Sequence, residues 1–150
     1  MDSKKTEVTT ILFLCTGNSC RSQMAEGWAK RHLPETFIAY SAGIEKHGLN
    51  QMAVKAMREA GIDISAYECN TIEELSFEHF DWVITLCGHA HETCPFFPGK
   101  IIHHGFDDPP KLAQNEVSEE SQMVHYRRVR DEIKEFIISL PKTLSNVADF

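Results

Sequence analysis

Cys15 closes an apolar run, ILFLC, and is followed by Thr16, Gly17, Asn18, Ser19, Cys20, Arg21 and Ser22 before an amphipathic segment begins. A small-residue turn between a strand and a helix can aim several backbone N–H groups inward. The positive end of the helix dipole adds to their field, which makes a cradle for a tetrahedral oxyanion. The amides from Thr16 to Ser22 are the expected binding groups. Gly17 and Asn18 tolerate the left-handed backbone such a turn needs. Arg21 carries a planar fork that can grip two oxyanion oxygens. Cys15 lies at the bottom of the same field, so its thiol is expected to ionise below the free value of ~8.5 and act as a nucleophile. The Ser22 hydroxyl can donate to that sulfur. The plainer alternative is a buried strand-end cysteine followed by a helix-start serine.

A second sulfur pair stands in TLCGHAHETCP, where Cys87 again ends an apolar run and Cys94 follows. Cys87, His89, His91 and Cys94 could be taken for zinc ligands. Their loop is short, however, and no second pair stands at a usual finger spacing, so no metal is expected. The cysteines number five, an odd count, and the N-terminal MDSKKTEVTT lacks the apolar core of a secretory signal. Together these place the chain in a reducing compartment, by default the cytoplasm. A net charge of −7 argues against a nucleic-acid or anionic-membrane surface. It leaves room for an anionic small ligand at one locally positive loop.

The elements that must position these groups can be read from periodicity. Strands are expected at Val8–Leu14, 36–43, 80–87 and 100–104, and helices at 22–33 and Asn50–Ala60, the latter capped by Asn50 and stopped at Gly61. The longest helix is expected from Glu119 to Leu140, with an apolar stripe of Met123, Tyr126, Val129, Ile133, Phe136, Ile137 and Leu140, and with Pro141 ending it. Trp28 and Trp82 are assigned to the core, RRVRDEIKE to a solvated helix face, and Cys69 to no role. Residues 1–150 make one α/β domain, an open parallel sheet of about four strands flanked by helices. Such sheets bind ligands beyond the carboxyl ends of their strands. Cys15 and Cys87 both fall on that edge.

LCTGNSCRSQMAEG resembles the signature loop of the low-molecular-weight protein tyrosine phosphatase fold, a family that includes thioredoxin-coupled arsenate reductases. YSAG at 40–43, AGIDIS at 60–65, TLC at 85–87, GFDDP at 105–109 and RRVRDEI at 127–133 resemble the reductase branch. The resemblance runs over nearly the whole chain. It implies Asp108, the Asp immediately before Pro, as the general acid in preference to Asp107. It also implies a relay in which Cys15 attacks arsenate, Cys87 attacks Cys15, and Cys94 moves the disulfide outward for thioredoxin to reduce. A metal or organic cofactor is not needed, and a monomer is expected.

Some relatives hold a potassium ion beneath the loop. Asn18, Glu26 and Ser41 match its oxygen ligands, while Glu68 and Asn70 replace the usual remaining pair. Cys20 admits packing or a disulfide with Cys15. The aromatics that line a tyrosine phosphatase entrance are missing, with Pro110 and Lys111 at one position and GIEKHG at the other. Two other functions use the same residues: a tyrosine phosphatase, and a thiol redox sensor without catalysis.

Overall fold

The computed structural model describes residues 8–75, 80–88 and 100–148. Strand β1 spans Thr9–Cys15, β2 Phe37–Gly43, β3 Trp82–Thr85 and β4 Lys100–His103. They form one sheet in the order β2-β1-β3-β4, every pairing parallel. The central strand β1 is apolar on both faces, and Ile11, Leu12, Phe13 and Leu14 are fully buried. That is the pattern a covered parallel strand requires. Register carries the chemistry to one edge: Cys15 sits opposite Gly43, and Leu14 sits opposite Thr85. The Leu86 amide still donates to the Leu14 carbonyl (2.9 Å), so Cys87 emerges beside the end of β1.

Helix α1, Arg21–His32, starts directly after the loop and packs on β2 and on the last helix. Helix α2, Gln51–Glu59, is capped by Asn50, whose side-chain oxygen accepts from the Met52 and Ala53 amides at 2.8 and 3.0 Å. Ala53, Ala56 and Met57 face inward, and Gly61 takes φ +89° where the chain leaves the helix. A short helix α3, Pro109–Ala113, was not expected from the sequence. Two prolines at its start supply the φ of a first turn, where no N–H partner is needed.

The C-terminal helix α4 spans Glu119–Ala148 and runs through Pro141 rather than ending before it. Proline there removes one bond to the Ile137 carbonyl, at a helix-interior cost of about 3 kcal/mol. Every member of the expected stripe is buried, and Leu144 prolongs it into the core. Burial of a leucine, worth about 1.5–3 kcal/mol, offsets much of the proline cost. The arginines of α4 also do more than coat a solvated face. Arg127 bonds Glu59 and Glu120, Arg130 donates to the Ala56 carbonyl (2.8 Å), and the Arg130 carbonyl accepts from the Trp28 indole. Trp28 and Trp82 are buried.

Candidate active site: an oxyanion cradle with two thiols

Cys15 is the last residue of β1 and is buried, with its Sγ 2.9 Å from Ser22 Oγ. Which atom donates is decided by the neighbours. The Asn70 amide donates to Asn18 Oδ1 (2.7 Å), which fixes the Asn18 amide so that its Nδ2 donates to Ser22 Oγ (2.9 Å). The hydroxyl hydrogen of Ser22 is then left for Cys15, and it supports negative charge on the sulfur. Asn18 reaches this position because it adopts φ +51°, a left-handed conformation that asparagine tolerates.

The loop carbonyls are all tied outward. Cys15, Thr16 and Gly17 accept from the amides of Ile44, Glu45 and His47, and Ser19 accepts from the Asn50 amide. The Asn18 carbonyl accepts from Gln23 Nε2 (2.9 Å), and the Cys20 carbonyl accepts from the Met24 amide. In a trans peptide the N–H lies opposite the C=O. Carbonyls drawn outward therefore turn the amides toward the cavity on the other side. That cavity has a volume of about 280 Å³ and is lined by Cys15, Thr16, Gly17, Ser19, Cys20 and Arg21, with His47, Asn50, Asp108 and Pro110.

Arg21 reaches into the same space. Its Nη1 donates to the Phe106 carbonyl (3.0 Å), and its Nη2 lies 3.6 Å from Asp108 Oδ1. Asp108 stands at the N-cap of α3 but makes no side-chain cap bond, so its carboxylate is directed at the cavity and not at the helix. Asp107 turns away to Arg128 (2.8 Å). Burial, and then the neighbouring Cys15, push the Cys20 thiol up well above its ordinary range despite the opposing pull of Arg21. Cys20 thus stays protonated beside Cys15.

The Thr16 hydroxyl lies 3.2 Å from Cys87 Sγ, and Cys87 is buried. The residue after Cys15 therefore touches the second sulfur. Cys15, Cys20, Cys69 and Cys87 are outside any disulfide. Cys94, His89 and His91 lie outside the described residues.

Several contributors were not found in the sequence. Cys69, assigned no role, donates its S–H to the Gly17 carbonyl (3.2 Å). Gln23 bridges the carbonyls of Asn18 and Glu68. His47 and Asn50 line the cavity. Sequence spacing carries no signal for these contacts, because each joins the loop to a distant stretch of chain.

Beneath the loop, the residues do not fit a potassium ion. One Glu26 oxygen accepts from Ser41 Oγ (2.5 Å), the other binds the Lys30 ammonium (2.6 Å), and Asn18 Oδ1 is taken by Asn70. Partial burial pulls the Lys30 pKa down, but the hydrogen bond and charge of Glu26 outweigh it and the net direction is up. A fixed positive charge already stands on the carboxylate that a cation would need.

The family model for low molecular weight phosphotyrosine protein phosphatase matches residues 10–148. The chain belongs to this family. Within the family it is 56% identical over 136 residues to the arsenate reductase of Bacillus licheniformis, covering 89% of this chain and 96% of that protein. Among solved structures, an arsenate reductase in its reduced state aligns with a TM-score of 0.70 at 30% identity, over 91% of this chain and 99% of the other. The thioredoxin-dependent arsenate reductase of Corynebacterium glutamicum shares the fold, with a TM-score of 0.68 at 22% identity, over 94% of this chain and 63% of that one. Among the described residues, no helix is long and apolar enough to cross a membrane.

Proposed function

We propose that this phosphatase-family chain reduces arsenate to arsenite by passing two electrons through Cys15, Cys87 and Cys94. Arsenate enters the cradle, where the loop amides and Arg21 hold its charge. The Cys15 sulfur displaces one hydroxide from arsenic, and Asp108 supplies the proton that lets it leave as water. Cys87 then attacks Cys15 Sγ. An S–S bond forms, the S–As bond breaks, and its electron pair stays on arsenic, which leaves as arsenite in the +3 state. Cys94 attacks Cys87, releases Cys15 as a thiolate and leaves a Cys87–Cys94 disulfide. A dithiol protein such as thioredoxin reduces that disulfide by the same exchange, in the reducing cytoplasm.

The observation that carries this reading is the 3.2 Å contact between Thr16 Oγ1 and Cys87 Sγ. A phosphate-ester hydrolase needs the loop and an acid only, and water finishes its reaction. A buried second thiol held by the loop itself suits a reaction that ends in a disulfide. The arsenate reductase relatives point the same way.

The test supplies arsenate with thioredoxin, thioredoxin reductase and NADPH. Stoichiometric NADPH oxidation and arsenite production are expected, with a phosphotyrosine peptide cleaved poorly. Efficient peptide cleavage without arsenite would make the chain a phosphatase. Disulfide formation by peroxide with no arsenite would make it a redox sensor.

A further inference from the structure

Cys15 and Asp108 both bring negative charge to the cavity when ionised, and Arg21 already donates to the Phe106 carbonyl while facing Asp108. A dianion entering this space therefore needs more positive charge than one shared guanidinium. Among the described residues that line the cavity, His47 is the one side chain besides Arg21 that can become a cation. Its ring lies directly on the loop: a Cβ added to Gly17 would meet His47 Nδ1 at 2.3 Å and Cγ at 2.5 Å. Its backbone amide donates to the Gly17 carbonyl (3.1 Å), so the ring is registered to the cradle. On the far side of the ring, Nε2 is 2.7 Å from Glu45 Oε1. That contact places a proton on Nε2 and orients the ring. Nδ1 remains on the loop side, where a second proton turns it into a donor.

We propose that His47, oriented by Glu45, is a second, proton-dependent cation for the oxyanion and sets how tightly the cradle holds a dianion. The inference rests on the cradle binding a tetrahedral oxyanion and not on the electron relay. Each neighbouring charge has its own place. Arg21 and Asp108 face each other across the cavity, Cys15 and Cys20 lie on its lining, and Lys46 is committed to Glu74 (2.7 Å). None of them makes the contact with Gly17 that His47 makes. The GIEKHG stretch, which stands where the resemblance places a phosphatase aromatic, thus brings a group recognising charge to the cavity.

Inorganic sulfate is the probe, since it is not reduced and stays a dianion across the range, about pH 5 to 8, in which an imidazole titrates. Calorimetric Kd values are measured for the unaltered protein, His47→Gln and Glu45→Gln. In the unaltered protein, sulfate is expected to bind about five- to tenfold more tightly at the acid end than His47→Gln does. That advantage should vanish by the alkaline end. Glu45→Gln, which leaves the cavity lining intact, should narrow it. Cys15, Cys20 and Asp108 are present in all three proteins, so their contributions cancel in the comparison. Parallel curves for the unaltered protein and His47→Gln would overturn the inference, as would an unaltered protein that binds no sulfate. Absence of arsenite production with the sulfate difference intact would remove the relay and leave this inference standing.

Discussion

At the scale of single residues, the hydrogen on Ser22 Oγ matters because two asparagines settle where it goes. Asn70 orients Asn18, Asn18 donates to Ser22, and Ser22 is left to serve Cys15. Ser22→Ala removes the hydrogen bond to the Cys15 sulfur, of a kind worth about 1.5–3 kcal/mol when the acceptor carries charge. Arsenate turnover should fall roughly ten- to a hundredfold. Alkylation of Cys15 by iodoacetamide at neutral pH should slow with it, which an effect on stability alone would not produce. The Cys15–Ser22 contact was legible from the loop pattern, because both residues belong to one strand-turn-helix unit. Thr16 against Cys87, Cys69 against the Gly17 carbonyl and His47 against Gly17 were not. Those contacts depend on where the ends of β2 and β3 and the segment after α2 deliver their side chains.

Among elements, the loop keeps its shape because the chain after β2 runs close beneath it and takes its carbonyls. Gly43 is the point of nearest approach. A Cβ there would stand 2.5 Å from the Glu45 carbonyl, 2.6 Å from the Asn18 nitrogen and 2.8 Å from the Gly17 carbonyl carbon. All three are backbone atoms, so relief requires the loop to move. Gly43→Ala should destabilise the protein by about 1–3 kcal/mol, the usual penalty of overpacking. It should also weaken sulfate binding more than it lowers the melting temperature of the sheet. Calorimetry of both quantities checks this. Strands, the Asn50 cap and the α4 stripe were readable, since each follows from local period or local capping chemistry. The passage of α4 through Pro141 was not, because a proline read alone signals a stop. Only the burial of Leu144 one turn later shows what carries the helix on.

For the molecule as a whole, acid stability and function draw on different parts. Hydrogen bonds from Arg127 hold Glu59 and Glu120 below the ordinary carboxylate range, and one from Lys46 does the same for Glu74. A depressed folded pKa contributes stability above the unfolded value, about 4.3 for glutamate, and the contribution is lost as pH falls through the lower folded values. Melting temperature should therefore be flat above about pH 5 and decline below about pH 4. These groups are exposed, so the decline should be shallow and salt-sensitive. Arg127→Ala should flatten part of it, read by thermal melts in buffers of two ionic strengths. The parallel fold and the shared edge for Cys15 and Cys87 could be read from strand order, since alternating strands and helices leave few topologies. The consumption of Glu26 by Lys30 and Ser41 could not, because it depends on side chains meeting beneath the loop. The relay is tested most directly by one addition of arsenate to the Cys94→Ser protein without reductant, followed by alkylation and peptide mass mapping. One equivalent of arsenite and a Cys15–Cys87 disulfide are the expected products; arsenite release with both thiols still alkylatable, or sustained turnover with thioredoxin, would contradict the account.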